Sequence, residues 1–361
     1  METYGAKKMK RFAEVLCRLL AQIKVINRRE RILQFITREQ VGIEVGPWFA
    51  PIAPKKEGYN CWALDLFDAE TLRRRAQSDP DVPKERIPEI EEVDLIGSAT
   101  AIADLVAARG ALGAVDYIIS SHNLEHLPDP IRFLQGCEKV LKRGGILSMA
   151  IPDRRVCFDY FRPHTTLSAW LQAYFKSRVR PTFAQVFEQN SLRSCMDRDR
   201  KLVTSWSLFD DPHGVAPLRR LQEAFDSWKA SLAAADSEYR DVHCWAFTPA
   251  SFELLIRDLQ FLTLLNFDIL DVSQPVGNEF VVHLRKNDGG IQGTADQERF
   301  YEARKSLLHR VNDEAGFNSQ RYFPRAIVLL KTFRLTVPLR LIGRALRKLR
   351  AGAIRRPRPP R

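Results

Sequence analysis

The sequence predicts a protein of the α/β class: a doubly wound, mostly parallel sheet covered by helices, with a helical cap insertion and basic terminal extensions. Three observations predict it. Short apolar runs alternate with helix-like segments from residue 41 to residue 151, the order of a parallel sheet with helical crossovers. The alternation breaks over 154–239, in an aromatic-rich stretch, and resumes over 240–286. The charge is segregated: of a net +12, residues 321–361 carry thirteen Lys or Arg and no acid, and residues 1–40 carry ten basic and four acidic residues. A mildly acidic body with basic ends suits contact with a polyanion or an anionic membrane surface.

The 361 residues are enough for one large or two ordinary domains with a sizeable core. The six cysteines, at 17, 61, 137, 157, 195 and 244, show no CxxC pair. That scatter predicts reduced thiols in a cytoplasmic protein and signals no metal site. Glu14, Arg18 and Lys24 interrupt the first apolar stretch, so no secretory signal is expected. Eighteen consecutive apolar residues occur nowhere, so no transmembrane helix is expected.

In chain order, residues 10–30 read as an amphipathic helix, with Phe12, Val15, Leu16, Leu19, Ile23 and Ile26 at helical spacing. It makes an N-terminal element over 1–37. Strands are predicted at 41–45, 59–64, 92–97, 115–120 and 145–151. The charged, Pro-rich stretch 78–90 reads as a loop. Asp129-Pro130 predicts the start of a helix over 131–141, with Asp as N-cap and Pro in the first turn. Lys142-Arg-Gly-Gly145 predicts its end.

Two stretches carry chemistry. Val41-Gly-Ile-Glu-Val-Gly-Pro47 is an apolar strand ending in a tight turn, and Tyr59-Asn-Cys-Trp-Ala-Leu-Asp65 is a second strand ending on a carboxylate. A glycine there lets the backbone approach a ligand, and an acid after the second strand suits ribose hydroxyls. The second stretch is Val115 to Pro130, in which a buried strand runs into Ser121, His122, Asn123, Glu125 and His126. In open α/β sheets ligands sit outside the carboxyl ends of the strands, where this cluster falls.

Ile43-Glu-Val-Gly-Pro47, Asp65, Ser121-His-Asn-Leu-Glu-His-Leu-Pro-Asp-Pro130 and Val140-Leu-Lys-Arg-Gly-Gly-Ile-Leu147 together resemble the class I S-adenosylmethionine-dependent methyltransferases. The likeness is to the broad group with a Glu-His-Leu/Ile-Pro-x-Pro run after the fourth strand. It continues in Val242 to Phe252, Phe267-Asp-Ile-Leu and Asn278 to Arg285, which resemble the helix and strand pair that close the sheet. The resemblance implies a Rossmann-like methyltransferase domain over 38–153 and 240–286, with S-adenosyl-L-methionine as cofactor. Gly46 and Pro47 would then turn beneath the methionine part, with Glu44 nearby. Asp65 would take the ribose hydroxyls, Leu66 would lie against the adenosine, and Gly97 and Ser98 would flank the adenine. His122 would stand by the methyl-bearing sulfur. The family's first loop usually holds more glycine; here Trp48 and Phe49 follow Gly46-Pro47.

Methyl transfer is an in-line displacement that depends on alignment, and an acidic surround suits a sulfonium cation. A hydroxyl acceptor needs a base, for which His is the usual residue. His126 and His243 are the candidates, with His122 and Asp153 behind them.

The aromatics of 154–239, among them Phe158, Tyr160, Phe161, Trp170, Tyr174, Phe175, Trp206 and Phe209, predict a mainly helical cap, the kind of element that selects an acceptor and excludes water. Arg154, Arg155, Arg162 and His164 could meet an anionic acceptor or be surface charges. Lys286 to Gly293 reads as a boundary, and 295–311 as a polar helix or linker, so that 287–361 forms a linker and basic tail. In the tail Leu339, Ile342, Leu346 and Leu349 line one face among Arg340, Arg344, Arg347, Lys348 and Arg350. A basic amphipathic helix of this kind suits peripheral attachment to the inner membrane face. The reading is therefore an enzyme that methylates a small-molecule or glycan acceptor, such as a membrane-associated saccharide precursor. An inactive S-adenosylmethionine-binding regulatory module and a nucleic-acid methyltransferase are the alternatives. G-x-G-x-x-G spacing is absent from the first loop, which argues against a nicotinamide enzyme, and no nucleic-acid recognition module is evident.

Overall fold

A computed structural model describes residues 27–316 apart from 199, 209, 234–239 and 288–293. Of the helix expected over 10–30, residues 10–26 lie outside the described residues, as does the tail over 321–361. The main unit takes in the described residues up to 210 and 214–315; residues 211–213 and 316 belong to a second unit.

A short helix α1 (Arg28–Ile32) opens the main unit. Its first turn is closed by a capping box, the Asn27 side chain accepting from the Glu30 amide and the Glu30 carboxylate accepting from the Asn27 amide. Five parallel strands follow: β1 (Val41–Val45), β2 (Asn60–Asp65), β3 (Leu95–Ile96), β4 (Val115–Ser121) and β5 (Leu141–Pro152). Between them lie α2 (Ala69–Ser78), α3 (Ile102–Ala107) and α4 (Pro130–Val140). After the insertion come α8 (Pro249–Phe261), β9 (Phe267–Val272) and β10 (Glu279–Lys286). The sheet order is β3-β2-β1-β4-β5-β10-β9. Only β10 runs against its neighbours, pairing antiparallel with both β5 and β9.

The strands are apolar on both faces because helices cover both faces. Successive residues of β4 divide between two cores. Ile118 joins Ile43, Val45, Leu147, Met149 and Phe252 on one side, while Tyr117 and Ile119 join Ile32, Cys61, Ala150 and Val281 on the other. That is the two-residue period of a strand. α4 starts as predicted: Pro130 occupies its first turn and Asp129 accepts from the Arg132 amide. β5 begins earlier than predicted, at Leu141. Gly144 has φ +76°, and the β4–β5 register slips between Val115 and Tyr117, so the glycine pair forms an irregularity within the strand. β3 is shorter than predicted. Asp94, just before it, is engaged by the Ala63 amide and Lys55.

The insertion adds a feature that was not expected. It holds helices α5 (Leu167–Phe175), α6 (Phe183–Leu192) and α7 (Leu221–Ala233), but also a three-stranded antiparallel sheet, β7-β6-β8, built from β6 (Ser194–Arg198), β7 (Lys201–Val203) and β8 (Val215–Pro217). Those strands are too short and too charged to alternate visibly. Its aromatics form core: Trp170 is fully buried against Trp245, Phe247 and Phe252. Two of its arginines are inward as well. Arg162 pairs with Asp159 and Glu188 and is 1% exposed, and Arg155 clamps Asp153. Both are thus structural ion pairs.

The predicted polar segment after the boundary is the helix α9 (Thr294–Ala315). It packs on α8 through Leu307 and Val311, a stacked Phe261–Phe300 pair and a two-bond Arg304–Asp258 ion pair. Among the described residues no helix is long and apolar enough to cross a membrane, and Cys61, Cys137, Cys157, Cys195 and Cys244 are free and buried.

Candidate active site

β1 and β4 are neighbours, yet the chain leaves β1 toward β2 and β3 on one side, while β5 lies on the other. This reversal is the topological switch point at which open α/β sheets bind ligands, outside the carboxyl ends of the strands. At both of those ends the backbone turns left-handed: Gly46 after β1 has φ +62° and His122 after β4 has φ +49°. Glycine adopts that conformation freely. For a histidine it costs on the order of 1–3 kcal/mol and persists only where the surroundings impose it. Here the His122 amide donates to the Ala150 carbonyl at 3.0 Å, and the ring is held between carboxylates.

The Gly46 side is a cradle. The Gly46 amide donates to the Leu64 carbonyl at 2.8 Å, and a Cβ built on Gly46 would meet nothing within 4 Å. Pro47 continues the turn. Trp48 and Phe49 pack beside α2, with Ala69, Leu72 and Ala76, so the two bulky residues that replace the family's glycines are taken up by a core. Glu44 is buried beneath the loop, where both its oxygens accept from the Ile52 and Ala53 amides at 2.8–3.0 Å. Burial raises its carboxyl to about 7 against the pull of those two amides. Glu44 thus shapes the loop from below.

Asp65 ends β2 opposite Ile96 of β3. Burial raises its carboxyl above the ordinary value against the pull of the Phe67 and Leu66 amides, and the bond from the Phe67 amide is long, at 3.4 Å. Its acceptor capacity is therefore largely unspent. Leu66 and Ile96 beside it are 56% and 54% exposed, an apolar flank suited to an adenine ring. Gly97 follows, and Ser98 caps a short turn through the Thr100 amide. These residues fit S-adenosylmethionine: an open backbone turn for the methionine part, an acid for the ribose and apolar edges for the base.

The His122 side is a cluster of imidazoles around one carboxylate. Glu125 is 1% exposed, and neither of its side-chain oxygens has a hydrogen-bond partner. His122 Nδ1 stands 3.6 Å from Glu125 Oε1, and the Nε2 atoms of His126 and His243 each stand 3.9 Å from the same oxygen. The outer nitrogens are all engaged. His122 Nε2 meets Glu279 at 2.7 Å, His126 Nδ1 meets Asp241 at 2.7 Å and His243 Nδ1 meets Asp159 at 2.5 Å. Burial lowers the pKa of His122 and of His126. The bond to Glu279 in one case and to Asp241 in the other, with the Glu125 charge, more than offsets it, so both stand above the ordinary imidazole value. Asp159 is pushed up by burial but held at about 2 by His243 and Arg162.

The structure thus brings His243, distant in the chain, to His122 and His126, which share one turn. The two segments are tied by the Cys244 amide, which donates to the Glu125 carbonyl at 2.7 Å, and by the Trp245 indole, which donates to the Leu127 carbonyl at 2.6 Å. Asp153, by contrast, is fully buried and taken up by Arg155, which removes it as a base. Sequence reasoning missed Glu279, Asp159, Asp241 and Arg28. Arg28 reaches from α1 to both Glu279 oxygens and to Ser121 Oγ. A lone acid or arginine in each of four distant segments carries no local signal.

A family model described as a methyltransferase domain matches residues 11–265. A ubiquinone biosynthesis O-methyltransferase from Caulobacter vibrioides is 41% identical over 59 residues, covering 16% of this chain and 23% of that protein. The chain therefore spans less than a quarter of that curated relative in the matched region. Among solved structures, an S-adenosylmethionine-dependent methyltransferase from Methanosarcina mazei is 14% identical with a TM-score of 0.36, over 72% of this chain and 98% of that one. A second, from Mesorhizobium loti, is 13% identical with a TM-score of 0.36, over 72% and 99%.

Proposed function

The chain belongs to the methyltransferase-domain family, for which S-adenosyl-L-methionine is the methyl donor, and on that premise we propose that it methylates a hydroxyl of a small-molecule or glycan acceptor. The observation that carries this reading is the pairing of two ligand sites at one switch point. The Gly46–Asp65 cradle is suited to the donor, and the imidazole cluster one strand away is suited to a polar acceptor. In an in-line transfer the protein chiefly aligns the two partners. The acidic groups Glu125, Glu279, Asp159 and Asp241 around the cluster favour a nearby sulfonium charge. The name of the Caulobacter relative supports oxygen as the acceptor atom. The insertion over 154–239 meets the cluster through Asp159 and Phe158, both beside His243, which supports a part for it in selecting the acceptor. The basic run over 321–361 supports attachment to an anionic membrane surface, where lipid-linked saccharides are presented.

The test is calorimetric titration of the full chain with S-adenosylmethionine, beside radiolabelled methyl transfer to a panel of saccharide and phenolic hydroxyls. Asp65→Ala removes an acceptor for the ribose worth about 1.5–3 kcal/mol, so affinity should fall roughly 10- to 150-fold. Wild-type binding without transfer to any hydroxyl would favour the regulatory-module reading. Equal binding by wild type and Asp65→Ala would refute the cradle. Removal of 321–361 should abolish sedimentation with anionic liposomes; unchanged sedimentation refutes the membrane reading.

A further inference from the structure

We propose that Glu125, His126 and His243 form a binding site for one divalent transition-metal ion of the zinc class, seated between the two imidazoles and the carboxylate. One oxygen of Glu125 and one ring nitrogen of each histidine lie within 4.8 Å of one another. The separations from the Glu125 oxygen to the two Nε2 atoms, 3.9 Å each, are too long for hydrogen bonds. They are close to the spacing of ligands that share an ion at about 2.0–2.2 Å from each, and a small inward movement completes it.

Three further features point the same way. The first is the buried carboxylate. Glu125 is 1% exposed and both its side-chain oxygens lack a hydrogen-bond partner. Leaving buried acceptors empty is costly, and an ion removes that cost. The second is the orientation of the rings. Each histidine gives its Nδ1 to a carboxylate, Asp241 for His126 and Asp159 for His243. This sets the Nδ1–H tautomer and turns the Nε2 lone pair toward Glu125, the carboxylate–histidine–metal arrangement of metalloproteins. Two lone pairs aimed at a carboxylate repel it unless a proton or a metal ion lies between. The third is rigidity. Asp159 is itself held by Arg162 at 2.8 Å, the rings of His126 and His243 meet edge to face at 4.6 Å, and Gln189 accepts from the His243 amide.

Two imidazoles and one carboxylate are the ligand set of zinc sites that keep a coordination position open. The half-buried His126, whose side chain is 28% exposed, gives solvent a way in. The use of the ion rests on the proposed function: an acceptor hydroxyl oxygen filling the open position becomes more acidic. As the methyl group passes from sulfur to that oxygen, the C–S bond breaks, the C–O bond forms, the hydroxyl proton leaves to water, and the sulfonium becomes a neutral thioether.

The experiment uses the full chain, stripped with chelator and dialysed. Equilibrium dialysis against Zn²⁺ should give one ion per chain, and titration with Co²⁺ should produce visible absorption bands of nitrogen–oxygen coordination. Glu125→Gln and His126→Ala should each weaken binding at least tenfold, whereas His309→Ala, on the exposed face of α9, should bind as wild type does. Circular dichroism establishes that each variant is folded, and the conservative Glu125→Asp should recover part of the affinity. Absence of stoichiometric Zn²⁺ at micromolar free ion, or undiminished binding by both variants, overturns the proposal. Calorimetry with S-adenosylmethionine on the same samples keeps the two readings apart. Cofactor binding without metal binding defeats the metal site alone, and metal binding without cofactor binding defeats the functional reading alone.

Discussion

Gly46→Ala separates the turn's folding role from its ligand role. With φ +62° the alanine must adopt a left-handed conformation, which costs about 1–2 kcal/mol. No steric cost is added, because nothing lies within 4 Å of the new Cβ. For a chain of this size the melting temperature should fall by about 2–8 °C, since each kcal/mol is worth roughly 2–4 °C. On the proposed function, cofactor affinity should suffer separately, because the methyl group would project into the space proposed for the cofactor. An overpacked contact costs about 1–3 kcal/mol, or roughly 5- to 150-fold in affinity. Gly144→Ala is the matched control, with φ +76° and an equally empty surround, but near the start of β5, at the other end of the strands. Differential scanning fluorimetry and calorimetry with S-adenosylmethionine are run on all three proteins. Both variants should lose similar stability, and only Gly46→Ala should lose affinity. Equal affinity in the three proteins would refute the argument that the cofactor passes over this turn.

Other expectations concern the scaffold. A Cβ at Gly42 would fall 2.0 Å from the Tyr117 ring, so Gly42→Ala should cost about 1–3 kcal/mol or more by overpacking, read by urea unfolding. Glu44 stands at about 7 in the fold against an ordinary 4.5. A raised carboxyl stabilises the fold fully below the ordinary value and loses that contribution as pH rises through about 7. Relative to Glu44→Gln, wild type should therefore lose up to about 3 kcal/mol between pH 4.5 and 8, and a flat difference would contradict the assignment. Arg304→Ala leaves the buried Asp258 without its ion-pair partner, which should loosen α9 from α8 and speed proteolysis within 294–315.

What was legible in the sequence was what depends on neighbours in the chain. Asp129-Pro130 specifies its helix start through contacts three residues apart, and the apolar runs at 41–45 and 115–121 became strands because their burial is two-sided. His122, Glu125 and His126 were visible as a group because they share one turn. Their supporting acids were not. Glu279 reaches His122 across 157 positions and Asp241 reaches His126 across 115, distances over which spacing says nothing. The small sheet of the insertion was missed for another reason: β7 and β8 have three residues each, too few for a period to show.

Arg28 and Glu279 are separated by 251 positions, and their pairing has a consequence for biosynthesis. At about 5–20 residues per second, a ribosome needs roughly 13–50 s to supply the second partner after the first. Until then β5 lacks β10 along its outer edge, and His122 lacks the carboxylate that holds its ring. The nascent protein therefore carries an unfinished sheet border from the synthesis of β5 until that of β10, a window in which a chaperone contact is of most use.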